Sequence, residues 1–195
     1  MPPAGRRRFT VDERRRHLLE VALHLFSTQS YATLSIDEIA QAAGVSKGLL
    51  YHYFPGKRDL FVAVVRLAAD QLAAATEPDP SRPADEALRA TLDAYLSWVA
   101  AHAVGYRTLL RGGLGADEEL LGVVEDYRAK VTERVLAGLE PTGDDAEQAV
   151  VVRGWVGFVE AATLEWLARD QQPPQARLRD LLTDALGRTL EAVRG

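Results

Sequence analysis

The sequence predicts an all-α protein, and three features of the chain lead to that fold class. Apolar residues recur at the three-and-four spacing of amphipathic helices along most of the chain. No stretch alternates apolar and polar residues between hairpin turns, which is the pattern of strands. Clusters of proline and glycine divide the helical pattern into short segments before residue 57 and longer ones after it.

The composition is that of an ordinary soluble globular protein, with 47% apolar and 26% charged residues among 195. No apolar run reaches the ~18 to 20 residues of a membrane helix, and no apolar signal core follows the N-terminal arginines, so we expect a cytoplasmic protein. The absence of cysteine excludes disulfides and thiolate metal sites. The net charge of −5 is unevenly spread, because residues 1–60 carry 9 Lys and Arg against 6 Asp and Glu. This asymmetry indicates a basic binding module on an acidic body.

Residues 1–9 are predicted to form a disordered basic arm. Its arginines Arg6, Arg7 and Arg8 either follow a phosphate backbone or reach into a minor groove, or they belong to a solvated tail. Thr10 is then positioned to cap the first helix, with Glu13 at the capping-box position. The apolar residues that follow give this helix a broad face on which the next helices can rest.

A second, short helix is predicted from Ile36 to about Ala43. Ser35 is a capping residue and Glu38, three positions later, completes a capping box. Gly44 follows where the chain must adopt the left-handed conformation that ends a helix, which a residue without a Cβ adopts at little cost.

A third helix is predicted over Lys47–Tyr53, capped by Ser46 and stopped before Pro55. Two short helices about a glycine turn form a helix-turn-helix, whose second helix can enter the major groove of DNA. The apolar residues of the two helices can pack in one seam, while the outer face keeps Lys47, Gly48, Tyr51 and His52.

These residues carry a resemblance to a known family. Residues 10 to 62, with GVSKGLLYHYFPGKRDLF at their end, resemble the DNA-binding domain of the TetR family of bacterial one-component regulators. The resemblance implies a DNA-binding domain over residues 10–57 and a helical effector-binding and dimerisation domain over residues 58–195. It also implies DNA contacts from Ser35, Ser46, Lys47, Gly48, Leu49, Tyr51, His52, Tyr53 and Lys57.

The rest of the chain is predicted to be helical as well, with a clear break in the proline-rich residues 77–83. A flexible corner is expected at Gly112, Gly113 and Gly115. The predicted helices run over Asp59–Thr76, Asp85–His102, Gly105–Arg111, Glu118–Leu139, Asp145–Asp170 and Gln175–Val193.

The helix predicted from Asp145 is apolar on most of its circumference, so it must be central, lie in a dimer interface, or both. The resemblance implies a homodimer in which the last two helices of each chain form a four-helix bundle. A two-fold dimer would place two recognition helices on an inverted repeat of double-stranded DNA, which is a palindromic operator.

The resemblance also implies a small-molecule pocket on the helices of the second domain. The candidate lining residues are Tyr95, Trp98, Tyr106, Leu109, Leu110, Tyr127, Trp155, Phe158 and Glu160. Aromatic residues at helical spacing also fit an ordinary core. Arg153 and Glu160 are seven residues apart and point roughly the same way, so they either orient a polar ligand or pair with charges across an interface.

No catalytic, metal or cofactor site is predicted. The chain lacks the GxSxG, phosphate-loop, HExxH and dinucleotide-binding patterns. His17 and His24 are seven residues apart on one helix face and are interpreted as surface or packed histidines. We therefore expect a repressor that a small-molecule effector releases from its operator. The alternatives are an activator, a regulator that binds a protein partner in place of an effector, and a helical enzyme with a vestigial helix-turn-helix.

Overall fold

The computed structural model of the chain describes residues 9–110, 117–139 and 145–194. Within those ranges the regular structure is entirely α-helical, which confirms the predicted fold class. None of the helices is long and apolar enough to cross a membrane. The arginines of the basic arm and the three glycines of the predicted corner lie outside the described residues.

The helices are α1 (Val11–Thr28), α2 (Ile36–Ala42), α3 (Lys47–Tyr53), α4 (Lys57–Ala75), α5 (Ala84–Ala101), α6 (Ala103–Leu110), α7 (Glu118–Ala137), α8 (Asp145–Ala168) and α9 (Gln175–Arg194).

Side-chain caps determine where the first three helices begin, as the sequence predicts. The Thr10 hydroxyl accepts a hydrogen bond from the backbone N–H of Glu13 at 3.2 Å, and Ser35 accepts one from Glu38 at 3.2 Å. In both caps the glutamate carboxylate accepts a hydrogen bond from the backbone N–H of the capping residue, which completes a capping box. Ser46 caps α3 with its hydroxyl in the same way.

The turn between α2 and α3 depends on Gly44, whose φ of 65° is in the left-handed region. The Gly44 N–H donates to the carbonyl of Gln41 at 3.1 Å, and the Val45 N–H donates to that of Ala40 at 3.0 Å. These bonds satisfy carbonyls that the end of a helix leaves without partners. The two helices therefore meet in a defined turn.

Some helix ends differ from the prediction. α4 begins at Lys57, two residues before the expected Asp59, because its N-cap is the backbone of Gly56 and no side chain signals it. α8 ends at Ala168, two residues early, since Asp170 and Gln171 have φ values of 51° and 61° that no helix can contain.

Buried apolar side chains form two clusters that meet along α4. The first joins α1, α2 and α3 to the start of α4 as far as Val65, and it includes Leu120 of α7. The second joins Leu72 of α4 to the inner faces of α5, α8 and α9. We use "head" for residues 9–65 and "body" for the described residues from 66 onward.

Several contacts connect the head to the body, and two of them lie beside α4. The Arg58 guanidinium, at the start of α4, donates to both carboxylate oxygens of Asp117 at 2.7 and 2.8 Å. Gly105 of α6 lies against the end of α1, where a Cβ at this position would be 3.1 Å from the carbonyl oxygen of Phe26. A movement of α6 or α7 therefore acts on the head through direct contacts.

Candidate nucleic-acid interface and ligand cavity

α3 has one face in the head core and the other in solvent. Leu50 is completely buried, whereas 36% of Leu49 and 42% of Tyr51 is exposed. Lys47, Gly48 and His52 are exposed as well, so the predicted outer face of the recognition helix is free of contacts with the core. This geometry leaves a seven-residue helix available to a groove of DNA.

Lys47 is held by an ion pair in the free protein. Its Nζ lies 2.7 Å from a carboxylate oxygen of Asp37 on α2, and both side chains are exposed. The hydrogen bond that Lys47 donates to Asp37 raises the pKa of Lys47 above its ordinary value. A phosphate that binds Lys47 must therefore compete with Asp37.

The other predicted contact residues lie around α3. Ser35 and Ser46 use their hydroxyl oxygens as helix caps. Tyr53 is half-buried, and its ring meets that of His52 edge to face with 5.4 Å between centroids. Lys57 stands over the ring of Tyr31, with its Nζ 4.4 Å from the centroid.

The structure adds one cation that the sequence analysis did not select. The guanidinium carbon of Arg15, an exposed residue of α1, lies 5.2 Å from the ring centroid of Phe54 at the exit of α3. Arg15 therefore lies beside the candidate interface. The run of three arginines from Arg14 to Arg16 was a signal, but only the fold shows which member of the run comes near α3.

The body encloses an apolar cavity of about 460 Å³ between its helices and the head. All but one of the predicted ligand-binding residues line it. The lining includes Tyr95, Trp98, Tyr106, Leu109, Leu110, Tyr127, Trp155 and Glu160. Phe158 is the exception, because it points away from the cavity and 49% of it is exposed. At 100° per residue Phe158 shares a face of α8 with Gly154 and Ala161, and that face is turned outward.

The polar groups of the cavity are bonded to one another or to neighbours. The hydroxyl oxygens of Tyr95 and Tyr106 are 2.5 Å apart, and burial raises the pKa of both phenols. Burial also raises the pKa of Tyr127 to about 12. These hydroxyls therefore stay protonated at neutral pH and act as neutral hydrogen-bonding groups.

Glu160 and Arg153 have separate partners, both on α7. The Arg128 guanidinium donates to the two carboxylate oxygens of Glu160, with a shortest distance of 2.6 Å. Arg153 donates to Glu125 at 3.0 Å and, as the main cause, lowers the pKa of that carboxyl. Both residues therefore pair with charges of the same chain.

An apolar face on α8 and α9 has no partner within the described part of the chain. Val150 is 73% exposed, and Leu181 of α9 is 42% exposed. A Cβ added to Gly154 or Gly157 would meet no atom within 4 Å. With Phe158, these residues form a flat surface that another helix can approach closely.

Among the described residues no group of three histidines or carboxylates is placed to hold a metal ion. The site comprises an exposed helix beside cations and an apolar cavity that contains three tyrosine hydroxyls and a paired carboxylate.

Two family models match the chain. The model for bacterial regulatory proteins of the tetR family matches residues 18–64, and the model for the tetracyclin repressor-like C-terminal domain matches residues 84–188. The solved structure of a tetR-family transcriptional regulator from Streptomyces coelicolor has 34% sequence identity and a TM-score of 0.88, and the match covers 95% of this chain and 83% of that one.

Two further relatives are similar over most of their length. The HTH-type transcriptional activator FasR of Mycolicibacterium smegmatis is 28% identical over 177 residues, which are 87% of this chain and 81% of FasR. The regulator FadR from Bacillus subtilis, solved in complex with stearoyl-CoA, has 17% identity and a TM-score of 0.70 over 88% of this chain and 96% of that one. At that identity the likeness to FadR concerns the fold.

Proposed function

Because the chain belongs to the TetR family and is therefore a DNA-binding transcriptional regulator and not an enzyme, we propose that it is a homodimeric repressor released from a palindromic operator by an apolar effector. The observation that carries this proposal is the cavity of about 460 Å³, whose wall includes Phe26 of α1 and Phe61 of α4 in the head. A ligand in this cavity touches the unit that reads DNA.

In this proposal residues 10–57 read the operator and residues 58–195 bind the effector and dimerise. Phosphate contacts come from Lys47, Tyr51, Tyr53 and Lys57 and provide register and salt-dependent affinity. Base-edge contacts come from Lys47, Leu49 and His52. The exposure of α3 and the position of Arg15 beside it support this assignment, with Arg15 as a further phosphate contact.

Flanking groups complete the proposed interface. Ser35 and Ser46 lie at helix N-termini, where backbone N–H groups favour an anion. Gly48, with no side chain, lets a sugar-phosphate strand approach α3 closely. The chain thus presents both charged and uncharged phosphate ligands around one exposed helix.

The outward face of α8 and α9 supports the homodimer. Val150, Phe158 and Leu181 are large apolar residues that water otherwise covers. Packing within this chain does not require glycine at positions 154 and 157. The lack of side chains at Gly154 and Gly157 therefore suits a close approach by a second copy. A two-fold axis through this face makes the two heads equivalent and the operator an inverted repeat.

Effector binding and DNA binding are linked through the conformation of the head. If the ligand prefers the conformation whose heads are wrongly spaced for two half-sites, a typical coupling of ~1 to 3 kcal/mol weakens DNA binding ~5- to 150-fold. The complex of FadR with stearoyl-CoA is an example of a regulator of this fold with a ligand that carries a long apolar chain.

The decisive experiment selects binding sites from a random duplex library with the purified protein and titrates the enriched duplex at several salt concentrations. We expect an inverted repeat with two half-sites and an affinity that falls linearly with the logarithm of salt concentration. Enrichment of no symmetric sequence would overturn the dimeric operator-binding proposal.

Activation is the second candidate, and the name of FasR as a transcriptional activator favours it. Repression and activation differ in the position of the operator within the promoter and in whether the bound protein assists RNA polymerase. Transcription in vitro from a promoter that carries the selected site, with and without the protein, separates the two: repression lowers transcript yield, and activation raises it.

A further inference from the structure

The cavity is elongated, and its length follows from two parallel helices. Arg58 near the start of α4 bonds to Asp117 at the start of α7, and the Arg134 guanidinium near the end of α7 donates to the carbonyl of Ala73 at 3.0 Å. α4 and α7 therefore run side by side in the same direction. Cavity-lining residues extend along α4 from Phe61 to Thr76, which at 1.5 Å per residue is a distance of ~22 Å.

The two ends of the cavity differ. At the head end the lining residues Leu23, Phe26 and Val64 are buried, so this end is closed. At the other end the lining residues Ala84 and Gly138 are exposed. The opening therefore lies between the proline-rich linker before α5 and the end of α7.

The volume accommodates a hydrocarbon chain. About 460 Å³ over a length of ~22 Å corresponds to a mean cross-section of ~20 Å². Because carbon atoms in contact lie ~4 Å apart, one extended chain fits along the whole length.

The charges of the lining also point to a ligand whose polar end stays outside. Glu160, in the middle of the cavity, is neutralised by Arg128. Asp85 and Arg134 lie at the open end, where Arg134 also bonds to Glu77. An ionised group is therefore better accommodated at the opening than inside.

We propose that the cavity binds a single unbranched fatty acyl chain with its polar end at the opening, and that chain length decides whether the ligand releases DNA. This inference rests on the proposed function as a ligand-released DNA-binding protein. At ~1.2 Å per bond for an extended chain, ~18 bonds are needed to span the cavity. A palmitoyl chain approaches the closed end, and an octanoyl chain occupies only the outer half.

The closed end is connected to the interface by aromatic contacts. The ring of Phe61 meets those of Phe26 and Tyr31 edge to face, each at 4.9 Å between centroids, and Lys57 stands over Tyr31. A chain end that presses on Phe26 or Phe61 displaces this cluster. The displacement moves α1 and the start of α4, and therefore the angle at which α3 is presented.

The test uses the full-length protein, the selected operator duplex, and octanoate, laurate and palmitate together with octanoyl-CoA and palmitoyl-CoA. Isothermal titration measures binding of each compound, and fluorescence anisotropy of the labelled duplex measures DNA release at saturation. We expect octanoyl compounds to bind with less than ~2-fold loss of DNA affinity, and palmitoyl compounds to reduce it at least ~10-fold, within the usual range of coupling. Release by palmitoyl-CoA and not by palmitate identifies the thioester as the source of the chain, and release by both identifies the free acid as sufficient.

A matched pair of variants tests the position of the chain. Ala68 lines the cavity halfway between Phe61 and Thr76, whereas Ala74 on the same helix is exposed and outside the lining. Ala68→Phe should leave octanoate binding in place and abolish release by palmitoyl compounds, while Ala74→Phe should change neither. Thermal melts of both variants verify that they fold.

Three results overturn the inference: equal DNA release by bound octanoyl and palmitoyl compounds, no binding of any of them, or normal release from Ala68→Phe. Operator affinity of the ligand-free protein is measured in the same titrations. If the operator binds and no acyl compound does, the acyl inference fails and DNA binding stands. If no operator binds, the proposed function itself fails.

Discussion

The head and the body are built from the same kind of amphipathic helix, but their apolar side chains are packed differently. In the head, Leu18, Leu34 and Leu50 are completely buried against one another and their neighbours. In the body, the helices surround a cavity of about 460 Å³. A packed core gives the recognition helix one position, whereas an open one leaves room for a ligand to change the structure. In the proposed function, DNA reading belongs to the packed part and the response to an effector belongs to the part that can be filled.

The largest expected effect on stability comes from a comparison in which the same side-chain atoms are deleted in each of the two cores. Leu50→Ala in the head should lower the free energy of unfolding by ~2 to 5 kcal/mol, because the site is completely buried. Leu88→Ala on the cavity wall should cost only ~1 kcal/mol, since its side chain already faces open volume. Urea unfolding followed by far-UV circular dichroism measures both values.

Tryptophan fluorescence provides the control for this prediction, because Trp98, Trp155 and Trp166 all lie in the body. Leu50→Ala should disturb dichroism at lower urea than fluorescence. Equal losses in the two leucine variants would mean that the cavity closes in solution and that the two cores are alike.

The second prediction concerns the polar pair in the body. Tyr95→Phe removes one hydroxyl of the bonded pair and leaves that of Tyr106 buried without this partner, which should cost ~1 to 3 kcal/mol. Changing both tyrosines to phenylalanine should recover part of the loss, since no unpaired hydroxyl then remains. A double-mutant cycle from urea unfolding measures the coupling, and strict additivity would contradict the pairing.

Local signals explain why the head could be predicted closely from the sequence. α3 begins and ends at the predicted Lys47 and Tyr53 because Ser46 caps it and Pro55 prevents its extension. The predicted start of α4 was wrong because the cap there is the backbone of Gly56, which carries no side-chain signal.

The body could be predicted only in outline, because its site depends on contacts between distant residues. Glu160 and Arg128 are 32 residues apart, so only the packing of α7 on α8 brings them together. Phe158 was assigned to the pocket because the resemblance places its helix around the ligand, and the rotation of α8 decides that this residue faces outward. Helical periodicity shows that a face is apolar, but not which neighbour covers it.

The third prediction concerns the head surface. Lys47→Ala should weaken operator binding several-fold and reduce the salt slope by about one unit, as the loss of one phosphate contact requires. Asp37→Asn is the matched opposite, because it frees Lys47 from its ion pair and should raise affinity. Anisotropy titrations at several salt concentrations measure both. Unchanged slopes in both variants would remove Lys47 from the interface.

The smallest effect on stability is expected where the head and body meet, in the ion pair between Arg58 and Asp117. Arg58→Gln should hardly change the melting temperature, because the guanidinium is half-exposed and water replaces its partner. Arg58 holds the pKa of Asp117 below its ordinary value, so the pair is intact at neutral pH and its contribution is lost only as pH falls below ~4.

Arg58→Gln should nevertheless reduce ligand-induced release of DNA, because one of the direct connections between α4 and α7 is gone. Asp117→Asn, which can still cap α7 through its side-chain oxygen, should reproduce this loss of coupling with α7 intact. Full release in both variants, measured by operator anisotropy with palmitoyl-CoA, would show that coupling does not depend on this ion pair.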